Sequence, residues 1–213
     1  MLMFKFKKDL PLNILCLGAH CDDIEIGAGA SLLKIFQEYN IKKVQWVIFT
    51  SNETRKQEAT RSAQKFLEGI PEKEILIQDY RDGFLPFQAP EVKEYFEKLK
   101  QNFNPDLIFT HYRNDCHQDH QLVSELTWNT WRNNLILEYE IPKYDGDLGT
   151  PNFYIPVREE YLETKIQILM EAFVSQHEKH WFDQSAFKAL PRIRGIESAA
   201  QFAEAFYVRK VIL

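Results

Sequence analysis

Apolar runs and amphipathic stretches alternate along the chain from Asn13 to Trp131. Asn13–Gly18 is a short apolar run closed by glycine and predicts a buried strand. Gly27–Tyr39 carries Leu32, Leu33, Ile35 and Phe36 at helical spacing, which predicts a helix with one face turned inward. Val44–Phe49 is rich in β-branched and aromatic residues and predicts a strand. Glu53–Leu67 is a charged helix candidate with Ala59, Ala63, Phe66 and Leu67 on its inner side. Ile75–Gln78 and Leu107–Thr110 predict two more strands, and Val92–Phe103 and Asp119–Trp131 two more helices. Such alternation predicts an α/β fold, a mostly parallel sheet with helices on both faces and right-handed crossovers.

The pattern loosens after Trp131. Ile136–Glu140 and Asn152–Val157 predict strands, separated by a loop rich in proline and glycine, Ile141–Pro151. Glu159–Ser175 predicts a helix. His177–Gly195 has no clear period and is expected to wrap near the functional site. Ser198–Glu204 is expected to start a short helix, and Phe206–Ile212 alternates like a final strand. Neither an internal repeat nor a linker composition interrupts residues 1–213, so one domain is expected.

Composition narrows the function classes. A net charge of −5 argues against unspecific binding to nucleic acid or to an anionic membrane surface. The hydrophobic fraction of 45% suits a soluble globular protein. No stretch approaches the roughly 20 apolar residues needed to cross a bilayer. The basic start, Met1 to Asp9, has the charge of a signal peptide. The run that follows contains Pro11 and Asn13 and leads straight into a polar cluster, so a first strand is the better reading. Three cysteines do not make a disulfide framework, and a reducing cytoplasm is the expected location.

Two polar clusters follow predicted strands: Ala19-His20-Cys21-Asp22-Asp23, and His111 to His120 with Asp115, His117, Asp119 and His120. Carboxyl ends of strands are where an open α/β sheet places its active site. A catalytic zinc typically takes three nitrogen or oxygen ligands and keeps one position open. His20 and Asp23 sit three apart at a strand-to-helix turn, and His120 opens the helix after Thr110, so the three can converge on one ion. Asp22, left beside a ligand, is a candidate general base. His117 is a candidate acid or oxyanion partner, and Asp119 a candidate orienting group for His117. Each cluster alone also fits a helix cap or a solvated surface. Gly27-Ala-Gly29 invites a dinucleotide reading, but Gly-x-Gly-x-x-Gly is missing. Cys21 and Cys116 are potential soft ligands better read as small packing residues. A Ser-His-Asp triad lacks its Gly-x-Ser-x-Gly elbow.

Ala19-His-Cys-Asp-Asp23 and His117-Gln-Asp-His120 resemble the paired motifs of the PIG-L or LmbE-like zinc-dependent N-deacetylases, with Cys21 where that family usually has proline. Arg55 to Glu58, Asp82-Gly83, Ser175-Gln176, Arg194-Gly195 and Ala203 to Phe206 resemble further signatures of the family. The resemblance implies a Rossmann-like fold and removal of an acetyl group from an acetamido sugar, with acetate as coproduct. It implies His20, Asp23 and His120 as zinc ligands, Asp22 as base, His117 as acid or oxyanion partner, Asp119 as a supporting group and Arg55 as a substrate contact. Ferrous iron or cobalt also suits such ligands. Phe84 to Phe87, Trp181-Phe182 and Tyr139 to Tyr144 offer aromatic platforms for a sugar ring. The expected partner is a small acetamido-sugar molecule, free or as a nucleotide-sugar or polysaccharide precursor. Neither nucleic acid nor a membrane anchor is expected, and a homo-oligomer is compatible with the sequence. Three other readings remain: a zinc amidase acting on a non-sugar amide, a metal-bearing sugar-binding module without turnover, and a nucleotide-dependent enzyme.

Overall fold

Strand β1 (Leu12–Gly18) is buried along nearly its whole length, as a strand covered on both faces must be. It lies between β2 (Ile41–Thr50) and β4 (Leu107–His111), parallel to both. The first of these neighbours pairs in parallel with β3 (Glu72–Tyr80), the second with β5 (Leu135–Tyr139). Beyond β5 the direction reverses. An outer strand β6 (Phe153–Val157) and an inner one β7 (Phe202–Tyr207) complete the sheet, and β7 runs antiparallel to both its neighbours. The order is β3-β2-β1-β4-β5-β7-β6. This is the mostly parallel α/β sheet expected from the sequence. The computed structural model describes residues 5–212.

Alternation along the strands divides the core in two. Ile14 and Cys16 face one layer with Trp46, Phe109 and Tyr139, covered by α1 (Asp23–Glu38), α2 (Glu53–Phe66), and the later helices α5 (Glu159–Ala172) and α6 (Gln184–Glu197). Leu15 and Leu17 face the other with Phe49 and Ile108, covered by α3 (Ala89–Asn102) and α4 (Gln118–Thr130). A period of two in β1 therefore serves two cores at once. Among the described residues, no helix is long and apolar enough to cross a membrane.

The chain winds outward one way from β1 through β2 and β3, then the other way from β4 through β5. The crevice outside the carboxyl ends of β1 and β4 is thus a topological switch point, the usual ligand site of such sheets.

Several boundaries differ from the sequence reading. The first helix begins at Asp23, four residues before Gly27, so that Asp23 belongs to its first turn. Gly27 and Gly29 lie inside this helix. A Cβ on Gly27 would stand 2.3 Å from the Tyr139 ring, and one on Gly29 3.1 Å from Phe66 and Lys165. They permit close packing and form no phosphate loop, which removes the dinucleotide reading. The helix expected from Glu159 ends at Ala172 and is followed by a 3-10 turn, Val174–Gln176. His177–Gly195, unassigned from sequence, contains most of α6. Ser198–Glu204 does not start a helix. Ala199 takes a left-handed φ of 57° after α6, and the chain then enters β7. Ala203, Glu204 and Ala205 favour helix locally, but pairing with Pro156, Ile155 and Tyr154 of β6 overrides propensity. Of the final strand expected over Phe206–Ile212, only Phe206 and Tyr207 are in β7.

Glu204 ties this last strand to α1. Its buried carboxylate accepts from the N–H groups of Ala30 (3.1 Å) and Ser31 (2.6 Å). Lys165 Nζ reaches the same carboxylate at 2.6 Å and donates to the Ile26 carbonyl at 2.6 Å. Three buried donors around one carboxylate satisfy its charge, the condition for burying an ion pair.

Candidate metal centre

The turn after β1 carries Ala19 to Asp22 into α1. Its shape is set by short backbone contacts. Asp23 Oδ2 accepts from the His20 N–H at 2.6 Å, and the Ala19 carbonyl accepts from the Thr50 N–H at 2.9 Å and its hydroxyl at 2.8 Å. The cysteine that replaces the family's proline fits here: Cys21 is buried and its thiol points to the Thr50 carbonyl at 3.4 Å. Burial pushes that thiol up to about 12, which keeps it protonated near pH 7.

Three side chains meet at the switch point. His20 Nδ1 lies 3.0 Å from His120 Nε2 and 3.3 Å from Asp23 Oδ2, and His120 Nε2 lies 3.5 Å from the same oxygen. Atoms about 2.0–2.1 Å from a tetrahedral zinc stand roughly 3.3–3.4 Å apart. The donor set therefore matches three corners of a zinc tetrahedron in chemistry and spacing. Three overlapping triads of donors lie here as well: His20, His117 and His120; Asp23, His111 and His120; and His20, Asp82 and Asp119.

The charges follow from the neighbours. Burial, then nearby His111, pushes His120 down to about 4, so its ring is neutral near pH 7. Burial also disfavours a charge on His20, but Asp23 and hydrogen bonds to the Asp119 and Asp82 carboxylates outweigh it and raise its pKa well above the usual value. The opposite directions are consistent. His20 faces the carboxylates of Asp23, Asp119 and Asp82, whereas burial dominates at His120. Burial opposes a charge on Asp23 too, yet His120, His111 and His20 together hold it well below the carboxylate range.

Asp22 points the other way. Its Oδ1 is 2.9 Å from Arg55 Nη2, while its Oδ2 is buried with no hydrogen-bond partner. Burial raises its pKa, and Arg55 opposes the shift without cancelling it. Arg55 also meets Glu58 at 3.2 Å and lies over the Phe173 ring at 5.2 Å. Glu58 in turn accepts from the Ser175 N–H and hydroxyl at 2.8 and 2.7 Å. Arg55 is therefore braced against Asp22 and the α5 end, where sequence reading expected a free substrate contact.

His117 caps α4, and its Nδ1 accepts from the Asp119 N–H at 3.2 Å. Burial, then His20, lowers its pKa. The Asp119 carboxylate does not turn to His117 as expected. It faces His20 Nε2 at 3.3 Å and accepts from the N–H groups of Gly83 (2.7 Å) and Leu85 (3.0 Å), so that it orients His20 and anchors the loop after β3. Asp82, on that loop and largely exposed, reaches His20 Nε2 at 3.2 Å.

Two further residues join the site: His111, for which no role is expected from sequence, and Asp115, a candidate metal or proton group there. His111, at the end of β4, is fully buried and stacks on His120 with centroids 3.9 Å apart. Its Nε2 accepts from the Ala19 N–H at 2.9 Å and lies 3.1 Å from Asp23 Oδ2. Asp115 Oδ2 lies 2.9 Å from His120 Nδ1, the position from which a carboxylate fixes the tautomer of a metal-binding ring. Both lie in the His111–His120 run, but only the turn of the backbone after β4 shows where they point.

Comparison with known proteins agrees with this geometry. Residues 15–131 match the family model described as PIG-L, GlcNAc-PI de-N-acetylase. The chain belongs to the PIG-L family. It is 30% identical over 168 residues to the uncharacterized deacetylase YaiS of Escherichia coli (strain K12), covering 74% of this chain and 88% of that protein. Among solved structures, it superposes on the N,N'-diacetylchitobiose deacetylase from Pyrococcus horikoshii, in complex with its inhibitor MPG, with a TM-score of 0.72. That match has 20% identity over 95% of this chain and 87% of the other. GalB, the 4-carboxy-2-hydroxymuconate hydratase from Pseudomonas putida KT2440, matches with a TM-score of 0.71 at 13% identity, covering 95% and 98%. The PIG-L fold thus carries more than one chemistry, and the argument for this chain must come from its site.

The aromatic platforms divide on inspection. Tyr139 lies under the site, its hydroxyl donating to the Leu17 carbonyl at 2.6 Å, and Phe182 is packed in the core. Phe84, Phe87 and Tyr144 remain exposed, with Tyr144 against His180 at 5.0 Å. The Cys116 thiol is exposed, and neither it nor Cys21 joins a candidate donor group among the described residues.

Proposed function

We propose that this PIG-L family member is a metal-dependent N-deacetylase that hydrolyses the acetamido group of a sugar or sugar conjugate, with zinc as the best-fitting ion. The observation that supports it is the convergence of His20 Nδ1, Asp23 Oδ2 and His120 Nε2 within 3.0–3.5 Å of one another, beside a buried carboxylate, Asp22, that joins none of them. A divalent ion at this point polarises the amide carbonyl and makes water a better nucleophile.

The chain's own groups supply the rest. Asp22 Oδ2 has no competing partner, and its raised pKa brings it toward the range of an efficient general base. It takes the proton as water adds to the acetyl carbonyl carbon. His117 then gives a proton to the nitrogen as the carbon–nitrogen bond breaks, so that acetate and a free amine leave. Arg55 holds Asp22 in place, and Asp119 holds His20. A sugar-binding module would need neither an unliganded base nor an acid, which favours turnover. The sugar preference is supported by the family description, GlcNAc-PI de-N-acetylase, by the likeness to the chitobiose deacetylase, and by the exposed aromatics Phe84, Phe87 and Tyr144.

Acetate release from a panel of N-acetyl sugars, nucleotide sugars and simple N-acetyl amines tests the proposal. Release from sugars above amines is expected. Release from amines alone points to a non-sugar amidase, and zinc and sugar binding without release points to a binding module.

A further inference from the structure

The loop from Ile141 to Pro151 is expected from sequence to connect two strands and, up to Tyr144, to offer an aromatic platform. It delivers a charged side chain to the rear of the proposed metal centre. Lys143 Nζ lies 3.0 Å from Asp115 Oδ2, the same oxygen that lies 2.9 Å from His120 Nδ1. The other Asp115 oxygen accepts from the His117 N–H at 2.8 Å. Lys143 also pairs with Asp147, which accepts from the Cys116 N–H at 2.7 Å. One ammonium group thus braces both Asp115 and Cys116, the two residues that lead into His117 and α4. Its side chain is only 10% exposed. Burial opposes its charge, but Asp147 and Asp115 offset the penalty and hold its pKa above the usual lysine value.

The loop is itself fixed from behind. Arg194 makes a two-pronged pair with Glu140 at 2.6 and 2.9 Å, just before the loop, and donates to the Gly149 carbonyl near its end at 3.1 Å. The placement of Lys143 therefore does not depend on a free chain.

We propose that Lys143 is a positioning residue that tunes the metal centre by sharing the Asp115 carboxylate with His120. The inference rests on the metal-centre reading above. A carboxylate that accepts from an imidazole N–H makes the other ring nitrogen a stronger donor. A lysine on the same oxygen draws that charge away, so His120 binds the ion less strongly than it would beside an unshared carboxylate. A device of this kind trades affinity for a more electrophilic ion.

Zinc affinity of the chelator-stripped chain, measured by competition with a chromogenic chelator, tests this without any substrate. Asp115→Asn should weaken zinc binding by about 10–100-fold, the usual worth of an outer carboxylate on a ligand histidine. Lys143→Met keeps the stem and removes the charge, and should tighten zinc binding by about three- to tenfold. Lys143→Arg should restore the wild-type value. In the Asp115→Asn background, Lys143→Met should change the affinity by less than about twofold, because the lysine acts through Asp115. Unchanged or weaker zinc binding in Lys143→Met, or an equal shift in both backgrounds, overturns the proposal. Lys143→Gln serves the same comparison if the methionine variant does not fold. A wild type that binds zinc yet releases no acetate ends the deacetylase reading and leaves this one intact, whereas zinc affinity indifferent to Lys143 does the reverse.

Discussion

Asp22 and Asp23 are neighbours in sequence and both are buried, yet they belong to different halves of the pocket. Asp23 looks into a wall of imidazoles, His20, His111 and His120, which hold its carboxyl far below the usual range. Asp22 meets one guanidinium, that of Arg55, and burial, with the Asp23 charge beside it, still raises its pKa. A helix start makes this possible, since consecutive residues there leave the axis in directions roughly 100° apart. On the proposed reading, the same chemical group serves as a ligand on one side and a base on the other because of what each side chain meets.

Removing a ligand should have the largest effect. His120→Ala leaves two donors, and metal content and acetate release should both fall to background. Asp22→Asn should keep stoichiometric zinc while turnover drops by about 10²–10⁴-fold, the usual worth of general acid–base help. Metal analysis beside acetate release separates the two variants, and if Asp22→Asn sheds zinc as readily as His120→Ala, the division of the pocket is wrong. His117→Ala should follow Asp22→Asn, with kcat reduced more than KM rises.

Arg55→Ala sharpens the comparison on the base side. It leaves Asp22 and Glu58 facing each other without their shared cation. Turnover should fall by about 10–100-fold, and stability by roughly 1–3 kcal/mol, the worth of hydrogen bonds to charged groups. A thermal melt and steady-state kinetics check both. Normal turnover with a large loss of stability would make Arg55 a purely structural residue.

An effect on stability alone concerns Glu25, one turn along α1 on the Asp22 side. Burial pushes its carboxyl up to about 8, against a hydrogen bond from the Ser62 hydroxyl at 2.6 Å. The folded chain then keeps this proton between the ordinary glutamate value and pH 8, whereas the unfolded chain has lost it. Folding stability of the metal-free protein should therefore fall as pH rises through that window, by at most about 1.4 kcal/mol per pH unit. Glu25→Gln should flatten the decline. A melting temperature equally steep in both proteins from pH 5 to 8 would show that Glu25 ionises freely.

Much of this pocket was legible in the sequence because its parts are local. His20 and Asp23 share one turn, His117 and His120 another, and each turn follows an apolar run that can only be a buried strand. The supporting groups were not legible. Asp115 is five residues from His120, and nothing in the intervening letters says that the backbone folds back. Lys143 and Arg194 come from segments without a hydrophobic period, where contacts are set by long-range packing. Asp119 was read toward His117, its neighbour in sequence, when the backbone amides of Gly83 and Leu85 turn it toward His20. Ala203 to Ala205 failed for a related reason. Their local preference is helical, and only partners more than 45 residues away in sequence, in β6, make them a strand.

The place of β7 between β5 and β6 bears on how the protein is made. The ribosome delivers β6 well before β7, but β6 touches no other strand in the sheet. Until residues 202–207 emerge, the five parallel strands have an open edge and β6 has no strand to pair with. Glu204 arrives with that same late strand, so Lys165 and the middle of α1 wait for their shared carboxylate as well. Closing contacts so distant along the chain is slow, and unpaired edges invite aggregation in the interval. The turns of the proposed metal centre are synthesised early, but the Glu204 contacts to α1, which carries Asp23, form only when β7 is inserted.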